Sequence, residues 1–140
     1  MKDTVVYLTA EERPVDIPGL QRLYAHTEWA PRRDAGGIEA SLATSIAVGA
    51  WDGERLVGFT RALSDGTYRA YVEDVVVDPD YRGRGIGERM LAALLRTLAD
   101  IETVSLFCEP ARVGFYERNG FEASRSQVMM HKRREARDVP

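Results

Sequence analysis

Hydrophobic and polar positions follow two different periods along this chain, and the change from one to the other is clearest between residues 73 and 98. The run Val75-Val76-Val77 favours a β-strand because β-branched side chains fit a pleated sheet, and Pro79 ends the strand by removing a backbone donor. From Ile86 onward the apolar positions are 86, 90, 91, 94, 95 and 98, which is the spacing of one helical face. The pattern therefore predicts a strand, a loop and then a helix that begins at Ile86.

The same two periods predict strands and helices along the rest of the chain. Strands are expected at residues 4–8, 46–51, 56–63, 68–77 and 103–108, with one or two more within 121–130. Helices are expected from Ile17, over 38–44 and from Pro110 to Asn119. Asp16 is suited to cap the first of these helices. Because a helical crossover joins strand 68–77 to strand 103–108, these two strands must run parallel, and the chain is predicted to be of the α/β class.

Composition fits one globular domain that covers residues 1–140. The chain is 44% hydrophobic and 29% charged, which is typical of a globular protein with a sizeable core. Its net charge of -3 provides no general basic field, so no nucleic-acid partner is expected. The tail 132–140 is charged and poor in apolar residues, and we expect it to be flexible.

Targeting and redox features indicate a cytoplasmic protein. The N-terminus lacks the long uncharged segment of a signal peptide, and no apolar run approaches the length of a membrane span, so no membrane partner is expected. The single cysteine, Cys108, excludes an internal disulfide and fits a reducing compartment. His26, His131 and Cys108 show no metal-ligand spacing, so no metal site is expected.

The loop before the predicted helix carries the first candidate chemistry, and its sequence is Arg82-Gly83-Arg84-Gly85-Ile86-Gly87. A helix start presents unpaired amides and a partial positive charge, and glycines let a bulky anion approach that backbone. The two arginines add charge and forked donors, which suit a pyrophosphate. The dinucleotide motif G-x-G-x-x-G fails because Glu88 or Met90 stands at its third glycine, and no P-loop motif occurs. A diphosphate is therefore the predicted ligand of this loop, and the alternative is a glycine-rich strand-to-helix turn whose arginines are only solvated.

The segment from Val75 to Gly87 resembles the acetyl-CoA-binding signature of the GCN5-related N-acetyltransferase (GNAT) family, in which [QR]-x-x-G-x-[GA] opens the helix after the fourth strand. A second segment, from Phe115 to Phe121, is similar to that family's F-Y-x-x-x-G-F motif. The two motifs occur in the family's order, about thirty residues apart, as a crossover connection requires. The resemblance extends in layout to about His131. It implies a single-domain GNAT-like fold with a mixed central sheet of about six or seven strands and helices on both faces.

The resemblance implies acetyl-CoA as co-substrate and direct attack by an amine in a ternary complex, without an acyl-enzyme. In the family the two parallel strands splay apart, so that the backbone of Val75, Val76 and Val77 would hold the pantetheine arm and the acetyl oxygen. Tyr116 matches the family's tyrosine that contacts the cofactor and donates a proton to the departing sulfur. Glu109 departs from one version of the motif, which has an asparagine there, and an ionised carboxylate cannot donate a hydrogen bond. The loop residues implied to bind the cofactor are Arg82, Gly83, Arg84, Gly85, Ile86 and Gly87.

Glu73 is the first candidate for the general base. It alternates onto the same strand face as Val75 and Val77, whereas Asp74 faces the other way unless a bulge intervenes. The alternative is that Glu73 attracts a cationic amine or pairs with an arginine.

The resembled family builds its acceptor site between the first two helices, which makes Tyr24, His26, Glu28 and Trp29 candidates for substrate contact. The alternatives are that Trp29 only covers the core and that His26 is a surface residue at a helix end. An acetyl-cysteine route through Cys108 has no recognisable histidine partner, so this cysteine is expected to be a small buried hydrophobe.

The predicted function is acetyl transfer from acetyl-CoA to a primary amine on a small molecule or a peptide. Two alternatives remain open, a non-catalytic acyl-CoA-binding sensor and an acyltransferase with another acyl donor or a hydroxyl acceptor. The identity of the acceptor and the formation of a homodimer also remain open.

Overall fold

The computed structural model describes residues 4–30 and 32–134. The chain forms two compact units, Met1–Leu106 and Phe107–Pro140. The elements of the first unit are β1 (Val5–Thr9), α1 (Ile17–Ala25), α2 (Ala35–Ala43), β2 (Ile46–Asp52), β3 (Arg55–Ser64), β4 (Arg69–Val77), a 3₁₀ turn (Pro79–Tyr81), α3 (Ile86–Thr97) and β5 (Thr103–Leu106). The second unit contains a 3₁₀ turn (Pro110–Arg112) and α4 (Val113–Arg118). The prediction of one domain stays a prediction, and most of the predicted tail, residues 135–140, lies outside the described residues.

The first unit is built on a mixed sheet in the order β1-β2-β3-β4-β5. The first four strands are antiparallel neighbours, and β4 and β5 are parallel, which confirms the predicted α/β class and the crossover. The sheet has five strands instead of six or seven. The strands predicted within 121–130 do not form in this structure, in which Val128 and Met130 are more than four fifths exposed and bury no apolar face.

Helices of the first unit cover both faces of this sheet. Phe59 of β3 belongs to a buried cluster with Leu20 and Leu23 of α1 and Ile38 of α2. Its strand neighbour Gly58 has no side chain, and a Cβ built there would lie 3.1 Å from the Met90 sulfur of α3. Because adjacent residues in a strand point to opposite faces, α1 and α2 pack on one face and α3 on the other. Both helical layers therefore flank the strands that lead to the glycine loop.

The starts of the three helices in this unit differ in how they are capped. Asp16 accepts a hydrogen bond from the Gly19 amide at α1, as predicted. Asp34 accepts one from the Gly37 amide at 2.8 Å, so that α2 begins at Ala35 and not at Ile38. The predicted start of this helix at residue 38 was wrong, because a good N-cap can outweigh the low helix propensity of the two glycines that precede it. In contrast, α3 has no side-chain cap.

The second unit folds locally around three aromatic rings. The Phe115 and Tyr116 rings are 5.0 Å apart, and the Tyr116 and Phe121 rings 6.0 Å apart, both with edge-to-face geometry. Gly120 adopts a φ of 92° just after the C-cap Asn119 of α4, which agrees with the predicted helix end at Asn119. The tyrosine of the second motif is thereby fixed within its own unit.

Candidate active site

The strand β4 carries backbone groups that its parallel neighbour does not cover. The pairing of β4 with β5 runs only from Arg69, opposite Thr103, to Val72, opposite Leu106. Within the described residues, 73–77 of β4 therefore have no ladder partner on β5, while 74–77 are paired with β3. Open strand edges present N–H and C=O groups that can bind an extended ligand. The parallel pairing thus ends before Val75, Val76 and Val77, the segment around which the sequence resemblance implied that the two strands splay apart.

The glycine loop that follows β4 is open to a bulky group. Gly83 and Gly85 have φ values of 79° and 76°, in the left-handed region that favours glycine, and a Cβ at either position would meet no atom within 4 Å. The first hydrogen bond of α3 joins the Arg89 amide to the Gly85 carbonyl oxygen at 3.1 Å. The amides of residues 86–88 precede that bond and no side chain caps them. The loop therefore fits a diphosphate, and Arg82 and Arg84 lie exposed beside it.

One of the two loop arginines is held over an aromatic ring. The Arg84 guanidinium lies 4.7 Å from the centre of the Tyr81 ring. The Tyr81 hydroxyl in turn donates a hydrogen bond of 2.6 Å to an Asp52 carboxylate oxygen, and this bond raises the pKa of Tyr81. Since Tyr81 is held from β2, Arg84 is partly oriented before any ligand arrives.

Two carboxylates lie at the buried face of β4 and its end, where the sequence had assigned none. Asp74 and Asp78 are each only 2% exposed. Oδ2 of Asp74 accepts hydrogen bonds from Arg61 Nε at 2.7 Å, Arg33 Nη1 at 3.1 Å and the Tyr24 hydroxyl at 2.7 Å. Burial and this contact with Asp74 raise the pKa of the Tyr24 hydroxyl far above its usual range.

Glu73 lies at a β-bulge, where the alternation of side chains along a strand no longer predicts the face on which a residue lies. Arg61 of β3 is opposite Asp74 and Ala62 is opposite Val72, so Glu73 is the extra residue. Its side chain is exposed. Burial tends to lower the pKa of Arg61, but Asp74, Tyr24 and Glu73 outweigh this effect and raise it. Glu73 is therefore near a cation, and its role as base stays a prediction.

The candidates for acceptor contact separate by burial. Trp29 is 53% exposed and Glu28 is exposed, whereas Tyr24 is 1% exposed and packs edge-on against Trp29 at 5.9 Å. Tyr24 thus supports this surface from beneath and does not line it. His26 is the exposed C-cap of α1, as expected for a helix-end residue. Arg33 stands over both aromatic rings, with its guanidinium 4.8 Å from the centre of Tyr24 and 5.4 Å from that of Trp29.

In the second unit, burial chiefly raises the pKa of the Tyr116 hydroxyl, and the nearby Cys108 adds to the effect. Tyr116 is therefore protonated at neutral pH, the state a proton donor needs. Cys108 is exposed and follows the end of β5, so the expectation that it is buried was wrong. Glu109 is also exposed.

Sequence reasoning missed Asp74, Asp78 and their arginine partners. The available signal was Arg61, a charged residue inside the apolar run of β3, since a charge in such a position needs a buried partner. Among the residues that the structure describes, no group of three or more His, Cys, Asp or Glu side chains could hold a metal ion. No helix in the same part of the chain is long and apolar enough to cross a membrane.

Comparison with known proteins identifies the class of this site. The family model described as an acetyltransferase (GNAT) domain matches residues 43–123. A histone acetyltransferase named TAP1 from Glycine max is 37% identical over 123 residues, which cover 78% of this chain and 53% of the relative. An uncharacterized ycf52-like N-acetyltransferase from Prochlorococcus marinus is 32% identical over 126 residues, covering 85% of this chain and 69% of the relative.

A solved structure agrees with these matches. A GNAT-family acetyltransferase from Streptococcus pneumoniae TIGR4 has a TM-score of 0.79 and 28% identity, covering 94% of this chain and 99% of that chain. The chain belongs to the GCN5-related N-acetyltransferase family. This confirms the predicted family, its fold and the enzyme class, acyltransferase. The chain spans about half the length of the soybean relative and about two thirds of the length of the cyanobacterial one.

Proposed function

We propose that this protein transfers the acetyl group of acetyl-CoA to a primary amine by direct attack in a ternary complex. The observation that supports this most is the continuity of two features, the open β4 edge over 73–77 and the uncapped start of α3 at Gly85. An extended arm that ends in a diphosphate needs such a strand edge followed by such an anion site. The family uses acetyl-CoA as its co-substrate.

The roles of the residues follow from this arrangement. Backbone groups of Val75, Val76 and Val77 hold the pantetheine arm, and the 82–87 loop holds the diphosphate through amides and arginines. Bound acetyl-CoA supplies an activated thioester carbonyl. A hydrogen bond from the strand backbone to the acetyl oxygen stabilises the negative charge that develops there.

The proton transfers are assigned to two side chains. The amine nitrogen forms a bond to the acetyl carbon, the carbon–sulfur bond breaks, and the proton lost by the amine passes to Glu73, directly or through water. The departing thiolate takes a proton from Tyr116, whose phenol is neutral at physiological pH. This assignment rests on the F-Y-x-x-x-G-F motif, and the raised pKa of Tyr116 means only that the phenol still holds its proton at neutral pH. Tyr116→Phe keeps the ring, so we expect kcat to fall by roughly 10²- to 10⁴-fold while coenzyme A affinity is retained.

The acceptor is a primary amine on a small molecule or a peptide, in contact with Trp29 and Glu28. The exposed indole provides an apolar surface, and the carboxylate attracts a cationic amine. One relative is named a histone acetyltransferase, which keeps peptide amines within the acceptor class.

The deciding experiment compares two substitutions at Gly85. Aspartate and asparagine both carry the strain of the left-handed conformation, and a Cβ has space there, so only the charge differs between them. Calorimetric titration with coenzyme A should show an affinity loss larger by roughly 2–4 kcal/mol for Gly85→Asp than for Gly85→Asn, because like charges repel in a partly desolvated site.

Equal coenzyme A affinities in the two folded variants would show that the loop is not part of the cofactor site. Tight coenzyme A binding with no turnover on any amine would instead favour the sensor function.

A further inference from the structure

A second anion site is suggested by a cleft in the first unit that the cofactor does not explain. The cleft has a volume of about 320 Å³ and is called here the arginine cleft; its lining residues are Arg32, Arg33, Asp34, Gly37, Ser41 and Arg61. We propose that the arginine cleft binds an oxyanion, a phosphate or a carboxylate, carried by the amine acceptor. This reading of the ligand as part of the acceptor rests on the proposed acetyltransferase function.

The first support is a buried cation at the wall of the cleft. The Arg61 side chain is only 9% exposed. Its Nε donates to Asp74 and its Nη1 donates to Ser45 Oγ at 3.2 Å, and no hydrogen bond from Nη2 is found among the described residues. A guanidinium with a spare donor beside an open cleft is suited to a planar oxyanion, which it can meet with a forked pair of N–H groups.

The second support is the shortage of negative charge around these arginines. Arg61 and Arg33 share a single oxygen of Asp74, so one carboxylate faces two guanidinium groups. Asp34, the acidic residue of the lining, already accepts the Gly37 amide as the N-cap of α2. Arg32 is exposed and adds a third cation. The lining itself carries three arginines and the carboxylate of Asp34, and Asp74 beneath it adds a second carboxylate, so that an entering anion would meet a surface of net positive charge; Glu73 lies near Arg61 outside the lining.

The third support is the position of the cleft relative to the open strand edge. Arg61 is opposite Asp74 and adjoins the bulge at Glu73, where β4 loses its partner β5. Arg33 also stands over Trp29, the exposed candidate for acceptor contact. An acceptor anchored by its oxyanion in the arginine cleft would thus lie beside the strand segment to which the acetyl group is assigned.

The test follows the full chain, labelled with ¹⁵N and saturated with coenzyme A so that the 82–87 loop is occupied. Sodium phosphate and sodium acetate are titrated separately at constant ionic strength in chloride. We expect saturable shifts of the Gly37 and Ser41 amides and of the Arg61 Nε–H signal. Arg32→Gln should weaken phosphate binding by roughly three- to fivefold, the effect of an exposed charged contact.

A matched variant removes the same charge elsewhere. Arg96 is exposed near the end of α3, and Arg96→Gln should leave the phosphate affinity unchanged. Absence of saturable shifts, or an equal loss in Arg32→Gln and Arg96→Gln, would overturn the site. If coenzyme A itself fails to bind, the proposed function fails, and the same phosphate titration on the free protein still decides the cleft.

Two pairs of amines identify the source of the anion. Glucosamine 6-phosphate and glucosamine differ only in a phosphate, and tyrosine and tyramine only in a carboxylate. The member that carries the phosphate or carboxylate, in at least one pair, should displace bound phosphate and have the lower KM, and Arg32→Gln should reduce that difference. Equal competition by the members with and without the oxyanion in both pairs would show that the cleft does not hold the acceptor.

Discussion

Two buried aspartates, four residues apart, each form ion pairs with two arginines, but the surroundings of those arginines differ. Asp74 and Asp78 are both 2% exposed. Asp74 bonds Arg61, whose side chain is 9% exposed, and Arg33, which is 37% exposed. All of its described hydrogen bonds go to a single oxygen, Oδ2. Its arginines also line an open cleft.

The hydrogen bonds of Asp78 instead stabilise the turn that follows β4. Its Oδ2 accepts from Arg22 at 2.8 Å and Arg55 at 2.9 Å, and its Oδ1 accepts from the Asp80 amide at 2.9 Å. The side chains of these arginines are 36% and 50% exposed, so that water solvates both. The contrast indicates that Asp78 is a structural cap before the glycine loop, whereas Asp74 balances a buried charge beneath the proposed acceptor surface.

The largest expected difference between the two carboxylates is in stability. Asp74→Asn removes the charge partner of the buried Arg61, and breaking a buried ion pair costs about 3–5 kcal/mol. Asp78→Asn leaves solvated arginines and weakens a cap, which we expect to cost about 1–2 kcal/mol. Urea unfolding followed by circular dichroism measures both free energies of unfolding.

The exposed Asp100 provides a matched control, since Asp100→Asn removes the same charge without breaking a described bond. Replacement of Arg61 by Met in the Asp74→Asn background should recover part of the loss, because the unpaired cation is gone. Equal losses for Asp74→Asn and Asp78→Asn would contradict the distinction between the two sites.

The pH dependence of stability in acid provides a second test of the difference between the two aspartates, with an effect of intermediate size. Burial alone would raise the pKa of Asp78, but bonds from Arg55, the Asp80 amide and Arg22 outweigh it and lower that pKa. A depressed folded-state pKa contributes stability above the unfolded value of ~3.9, and this stability is lost as the pH falls through the folded value. The deficit of Asp78→Asn relative to the parent should therefore be full at pH 7 and shrink below about pH 4. A deficit that stays constant from pH 7 to pH 3 would show that the carboxylate charge contributes nothing.

The pH dependence of stability in alkali tests the environment of Asp74 instead. Burial and Asp74 raise the pKa of Tyr24, so the folded state holds this proton more tightly than the unfolded state. That stability is complete below the unfolded value of ~10 and is lost above it, by at most about 1.4 kcal/mol per pH unit. Tyr24→Phe should reduce the slope of the unfolding free energy between pH 10 and 11.5, and the exposed Tyr68→Phe should leave that slope unchanged. Identical slopes in both variants would mean that the Tyr24–Asp74 bond does not control this titration.

Local chemistry made much of this fold predictable, and long-range pairing accounts for what the sequence did not reveal. The Val75–Val77 strand, the start of α3 at Ile86 and the Asp16 cap depend on residues close in sequence, and all three are confirmed. The bond between Asp74 and Arg61 depends on strand register, which alternation alone does not determine. The bulge at Glu73 further changes which residues of β4 point toward α1 and α2.

The candidate site divides in the same way. The glycine loop could be placed from its own six residues, because glycine spacing and a helix start are local features. The arginine cleft could not, since Arg33 comes from the loop after α1, Ser41 from α2 and Arg61 from β3. Only the folded sheet brings these residues together.

The smallest expected effects are kinetic, and each should appear in the KM of only one of the two substrates. Trp29→Ala removes the proposed acceptor contact next to Arg33, and Tyr81→Phe removes the hydroxyl through which Asp52 holds the ring under Arg84. Each change removes a partly solvated contact worth about 0.5–1 kcal/mol, or roughly two- to fivefold in KM. Trp29→Ala should raise the KM of the amine and Tyr81→Phe that of acetyl-CoA, with the other KM nearly unchanged in each case. Steady-state kinetics with both substrates varied measures all four values. If both variants instead raise the same KM, the surface above Asp74 and the glycine loop that follows Asp78 bind one ligand. The assignment of the acceptor to the surface above Asp74 then fails.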